Sequence, residues 1–161
     1  MICHTTIDEK KKKRQEISTD NPKVKVTKKT DYVDKLDRIF SKYIRLRDAM
    51  PSGFIRCISC GQIKEFDRFD CGHYYSRMHM STRWDEDNCN AECSLCNRFS
   101  AEHLIGYREN LIKKIGENRF KLLEVKAHQT KQWSEFELKM LCEYYQKKVK
   151  ELSKEKCIDV K

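Results

Sequence analysis

Two Cys-x-x-Cys pairs, Cys57-Ile-Ser-Cys60 and Cys93-Ser-Leu-Cys96, constrain this chain more than any other feature of it. Four thiolates in two such knuckles can close on one tetrahedral zinc. A shared ion would hold two distant segments together at a fixed geometry. The segment between and just after the knuckles carries Asp70-Cys71-Gly72-His73-Tyr74, Asn88 and Asn97. A zinc ribbon that only has to fold has no use for a carboxylate, a histidine and two asparagines at these points. A metal-dependent nuclease does.

The nine cysteines also admit a secreted disulfide scaffold. The start of the chain, Met1-Ile-Cys-His-Thr, lacks the apolar run of a signal peptide. No stretch approaches the roughly 20 apolar residues of a membrane span. Zinc in a reducing cytoplasm is therefore the expectation, with no membrane contact. Cys3, Cys71, Cys89, Cys142 and Cys157 lack knuckle spacing and read as small side chains, although Cys71 and Cys89 lie close to the site.

Length allows one domain with a modest core, at 161 residues. Charge narrows the partner: 34 Lys and Arg against 25 Asp and Glu leave a formal +9. Nucleic acid is the default polyanion, and a merely soluble surface is the alternative. Residues 1–30, with Lys10-Lys11-Lys12-Lys13-Arg14, read as an unfolded basic tail suited to non-specific phosphate contact.

Folding is expected from residue 31 onward as one domain, 31–161. Val33, Leu36, Phe40 and Tyr43 mark one face of an amphipathic helix, capped by Thr30 or Asp31 and ended by Pro51-Ser-Gly53. Its charges, Lys35, Arg38, Lys42, Arg45 and Arg47, fit either a solvated face or a DNA-facing stripe. Phe54 to Cys57 reads as a strand entering the first knuckle, and Phe66 to Tyr75 as a strand or hairpin with Asp70 and His73 near the bend. Gly72 suits a tight turn or a close approach. Residues 76–92 read as a charged loop. A helix is expected from the second knuckle through Asn97. Leu104, Tyr107, Leu111 and Ile115 mark another, ended by Gly116. Phe120 and Leu123 indicate a short one, and the capping-box pattern Ser134-Glu-Phe-Glu137 opens the last. The apolar face of that last helix is expected against the domain or a second subunit.

Phosphodiester hydrolysis needs a base for water and a cation for the phosphate and the departing oxygen. His73 can take the proton near neutral pH. Asp70 and Asn97 offer hard oxygens that suit magnesium or manganese, whereas the four thiolates suit a structural zinc. His79 could replace Asp70 as a ligand. His103 follows Asn97 by six residues, off the same helical face, and is set aside. Arg77 and Arg83 flank the site as phosphate contacts or as surface charge. Trp84 reads as a core or loop anchor.

The motifs Cys57-x-x-Cys60-Gly61, Asp70-x-Gly72-His73-Tyr74, Arg83 with Asn88, Cys93-x-x-Cys96-Asn97 and Tyr107-Arg108 with Ile115-Gly116 resemble, over roughly residues 35–152, the bacteriophage NinG family. That family includes the lambdoid recombination protein Rap. The resemblance implies an HNH-like, ββα-metal core, stapled by zinc, about 54–100, and a helical part over 101–155. The fold would be α+β within a mostly helical chain. It implies a structure-selective endonuclease that cuts Holliday junctions and D-loops in phage recombination. His73 then matches the general base, Asn88 the residue that orients it, and Asn97 a metal ligand. Many HNH sites place His or Asp just before the base, where this chain has Gly72, so Asp70 would reach the cation from three positions back. Where NinG-like sequences tend to carry Gly-Asn, this chain has Glu102-His103. By analogy the protein would act as a homodimer, with phage recombination proteins as partners, in the cytoplasm of a bacterial host. Two other readings stay open: a non-catalytic zinc-ribbon DNA-binding protein, and an HNH nicking nuclease on ordinary duplex DNA.

Overall fold

A computed structural model describes residues 29–160. The predicted basic tail therefore lies outside the described residues, except for its last two positions. Those open helix α1, Lys29–Asp48, which begins just before the predicted cap residues. There follow β1, Phe54–Arg56, and β2, Ile63–Glu65, then a single 3-10 turn over Phe66–Arg68. Next come β3, Phe69–His73, β4, Cys89–Cys93, and helix α2, Ser94–Phe99. Three helices complete the chain: α3, His103–Ile115, α4, Glu117–Ala127, and α5, Glu135–Lys156. The architecture is α+β, with two small antiparallel sheets among helices. No helix among the described residues is long and apolar enough to cross a membrane.

α1 and α5 form one wall. Leu36, Phe40, Tyr43 and Ile44 recur at helical spacing on α1 and are buried against Leu138, Cys142 and Tyr145 of α5. The Phe40 and Tyr145 rings meet edge-on at 4.8 Å. The predicted capping box starts α5: Ser134 Oγ accepts from the Glu137 N–H, and Glu137 returns a bond to the Ser134 N–H. At the far end the Lys156 ammonium donates to the carbonyls of Leu46, Arg47 and Ala49 at 2.8, 3.1 and 2.6 Å. Those are the C-terminal carbonyls of α1 and its exit, which lack helical partners and carry the negative end of the helix dipole.

The knuckle hairpin β1–β2 pairs Phe54 with Glu65 and Arg56 with Ile63. The second hairpin pairs Phe69 with Cys93, Asp70 with Glu92, Cys71 with Ala91, Gly72 with Asn90 and His73 with Cys89. Here the sequence reading needs correction, because residues 76–92 are not all loop. β4 takes residues 89–92 of that stretch. All five β4 residues are buried, so the strand shows no in–out alternation, and Asn90 and Glu92 disguise it further. Those polar groups survive burial because α1 and α3 supply partners. Arg47 donates to the Cys89 carbonyl and Asn90 Oδ1, Asp48 Oδ2 accepts from the Ala91 N–H, and Lys114 donates to Asn90 Oδ1.

β3–β4 is therefore a layer between two packings. Cys71 and Cys89 belong to the core shared with α1 and α5. On the other face the Tyr107 hydroxyl of α3 donates toward the carbonyls of Gly72 and Asn88 at 3.0 and 3.1 Å. Trp84 is the expected anchor: it is buried, its indole N–H donates to Asp37, and it meets Trp133 edge-on.

Candidate metal centres and their surroundings

The four knuckle thiols come together, all within 4.8 Å of one another. Sulfurs at about 2.3 Å from a tetrahedral zinc stand a little under 4 Å apart, and Cys60 and Cys93 Sγ are 3.9 Å apart. The Cys93 N–H donates to Cys57 Sγ at 3.3 Å, a bond that supports a thiolate. Burial, the largest cause, outweighs the backbone bonds to its sulfur and pushes the Cys57 thiol up to about 11. Burial also opposes the Cys93 thiolate, but hydrogen bonds from the Cys96 backbone and the neighbouring thiols outweigh it and lower its pKa. The donor set fits zinc.

Asp70 and Asn97 meet beside this centre. Asn97 Nδ2 donates to Asp70 Oδ2 at 3.2 Å, and Arg98 clasps the same carboxylate through two bonds of 2.8 and 2.7 Å. Burial tends to raise the Asp70 pKa, yet the bonds from Arg98 and Asn97 prevail and lower it. The carboxylate is therefore ionised at neutral pH. Arg98 is 60% exposed, so solvent weakens its pair with Asp70.

His73 stands apart from that pair. Successive side chains of a strand alternate, so Asp70 and His73, three apart on β3, leave it on opposite faces. His73 gathers instead with Cys71 and Cys89, three potential ligand atoms within 4.8 Å. Its Nδ1 lies 3.2 Å from the Cys71 carbonyl and its Nε2 3.1 Å from the Arg83 carbonyl. Burial, helped by the Arg77 cation, lowers its pKa and keeps the ring neutral.

Asn88 does not touch the His73 ring; it staples the loop. Its Oδ1 accepts from the Tyr75 N–H at 2.7 Å, and its Nδ2 donates to the carbonyls of Tyr75 and Thr82. Arg83, expected as a phosphate contact, is engaged in a fork on Asp37 at 3.0 and 2.6 Å and is only 18% exposed. That corrects the expectation: a guanidinium so held ties the loop to α1. Arg77 remains exposed at the loop surface. His79 is committed to the Ala127 carbonyl, away from Asp70.

Two residues escaped the sequence reading. Glu92 is fully buried, and its Oε1 accepts from Ser59 Oγ and from His103 Nδ1, the latter at 2.7 Å. Its Oε2 has no partner among the described residues. Setting His103 aside assumes one helix running on from Asn97. The helix breaks after Phe99, and His103 opens a new one whose direction the wheel argument could not supply. The Ser-Ala-Glu stretch before it, polar and without periodicity, was the available signal.

The family described as "Bacteriophage Lambda NinG protein" matches residues 4–155. Among curated proteins, "Protein ninG" of Escherichia phage 933W is 30% identical over 123 residues, covering 75% of this chain and 58% of that protein. "Protein ninG" of Escherichia phage lambda is 30% identical over 123 residues, covering 75% of this chain and 57% of that protein. The matched stretch thus spans less than two thirds of those relatives' length. No solved structure matches significantly. With nearly its whole described length inside the family match, the chain belongs to the NinG family of bacteriophage proteins.

Proposed function

We propose that this protein is a metal-dependent, HNH-like endonuclease that cuts branched DNA, such as Holliday junctions and D-loops, in phage recombination. The observation that carries the reading is the contact of Asp70 with Asn97, an ionised carboxylate and an amide oxygen source brought side by side from β3 and α2. A magnesium or manganese ion bound there supplies Lewis-acid stabilisation of the phosphate and the departing oxygen. The residues themselves do the rest. Asp70 and Asn97 hold the cation. Arg98, on the same carboxylate, is within reach of a phosphate once released. His73 is neutral at working pH and is the base this reading requires, so binding of the DNA has to draw one ring nitrogen off its backbone carbonyl and toward the attacking water. The zinc-stapled knuckles fix the start of α2 and so the position of Asn97. The formal +9 charge favours the polyanionic substrate. A homodimer suits a paired cut across a four-way junction, with phage recombination proteins as partners in the bacterial cytoplasm.

One observation favours a second reading, a non-catalytic zinc-stapled DNA-binding protein: both nitrogens of His73 face backbone carbonyls rather than Asp70. Cleavage of a synthetic four-way junction and a matched linear duplex with magnesium decides between them. Under the nuclease reading, His73→Ala lowers the junction rate on the order of 100-fold or more while junction binding persists. Asp70→Ala and Asn97→Ala also lower it, with partial rescue by manganese. A wild-type protein that binds junctions and never cuts them leaves the binder. Equal cutting of both DNAs makes it an ordinary duplex nuclease.

A further inference from the structure

α2 holds Asn97 on one side, and its other side forms the wall of a groove that the catalytic reading touches only through Arg98. The groove has a volume of about 810 Å³ and includes Phe54, Lys64, Arg68, Leu95, Arg98 and Phe99 among its lining residues. Three of these are apolar and face water: Phe99 is 78% exposed, Leu95 63% and Phe54 42%. Two aromatic rings and a leucine left in solvent along one concave surface form the kind of patch that marks a binding site. Lys64 and Arg68 share the groove with Glu65 and Asp67, and Arg98, held on Asp70, adds a third cation where a phosphate can compete for it.

Aromatic rings with cations between them suit one class of ligand. A nucleobase stacks on an exposed ring while its phosphates meet the basic side chains. In a continuous duplex every base is already stacked on its neighbours, so a base that reaches Phe99 has to be unpaired. Arg98 joins the two places, because it lines the groove and clasps Asp70.

We propose that this groove holds an unpaired DNA nucleotide, its base against Phe99 and Phe54 and its phosphates on Lys64, Arg68 and Arg98. The assignment rests on the DNA reading above and gives selectivity for branched structures a physical source. Strands that part at a D-loop or fork present unpaired bases next to Asp70 and Asn97, and a continuous duplex presents none.

The test is binding, measured on the zinc-loaded full chain without magnesium or manganese so that no strand is cut. The probes are a forked duplex with 2-aminopurine in its unpaired arm and the same labelled strand fully paired. Wild type binds the fork more tightly than the duplex and quenches the probe by stacking. Phe99→Ala weakens fork binding about 10-fold, abolishes the quenching and leaves duplex binding unchanged. Phe99→Trp keeps both. Because Phe99 is exposed, these variants keep the wild-type zinc content and fold. Equal loss on both probes, no loss on either, or no quenching by wild type overturns the proposal. Tighter binding to an RNA fork of the same sequence overturns the assignment to DNA. Phe99-dependent fork binding in a protein that never cuts refutes the nuclease and keeps the groove. Junction cutting by wild type together with unaltered fork binding by Phe99→Ala does the reverse.

Discussion

The carboxylate of Glu92 fills the space a side chain on residue 72 would need. A Cβ on Gly72 would lie 2.7 Å from the Glu92 Cβ and closer still to Oε2. Gly72 is thus required by a close approach between neighbouring strands and not by a turn. It is absent from the positive-φ glycines, Gly53, Gly61 and Gly116. Gly72→Ala should lower stability by about 1–3 kcal/mol, the cost of overpacking a closed site. Urea unfolding of the two proteins checks this; equal midpoints would show that Glu92 moves aside freely.

Zinc should be present at about one ion per chain, bound by sulfur alone. Cys57→Ser or Cys96→Ser should lose it, together with cooperative unfolding, because a structural zinc contributes its binding energy to folding. Cys89→Ser should keep the zinc, since Cys89 belongs to the other cluster. Metal content by atomic absorption, read beside thermal melts, gives the answer. A folded protein free of zinc sinks this prediction.

Asn88 carries structural weight that its sequence setting did not reveal. It is fully buried and bonds to Tyr75 twice and to Thr82 once through its side chain. Asn88→Ala strands the Tyr75 N–H and two carbonyls, so it should cost on the order of 3 kcal/mol. Any loss of activity should then follow the folded fraction on denaturation. A variant with native stability and no activity would return Asn88 to a direct role in orienting the base.

The fork between Arg83 and Asp37 should give the fold an acid limit. Burial works to raise the Asp37 pKa, but the bonds from Arg83 and Trp84 outweigh it and hold it below 3.8. An unfolded chain therefore binds a proton there before the folded chain does. The stabilisation is complete above about 3.8 and is lost as pH falls through the folded value. Asp37→Asn should cost about 1–3 kcal/mol at neutral pH, with the difference shrinking as the medium is acidified below that range. A difference that persists unchanged into strong acid would mean the side chain's shape matters and its charge does not.

The four clustered knuckle thiols, the α1 face of Leu36, Phe40 and Tyr43, and the Ser134 capping box were legible because each is a local rule with a fixed spacing. Asp70 and Asn97 could be paired from motif order alone. β4 could not be read, because a strand buried on both sides loses its alternation, and its Asn90 and Glu92 look like loop residues until Lys114 and His103 arrive. Arg83 misled for a related reason. A guanidinium seen in sequence carries no sign of the Asp37 carboxylate that occupies it from 46 residues away. Long-range partners decide such residues, and spacing does not encode them.

α1 is the earliest described element to leave the ribosome and α5 the latest, yet each buries its apolar face on the other. During synthesis Leu36, Phe40 and Ile44 can meet only Cys71, Trp84 and Cys89 of their core until the chain through Tyr145 is made. Contacts of such long sequence separation make folding slow, and an uncovered apolar helix invites association with other chains. The knuckles can close on zinc once Cys96 has emerged, well before α5 exists. Metal supply would then decide how much of the chain is already ordered when its last helix arrives, which makes the yield of soluble protein sensitive to zinc in the growth medium.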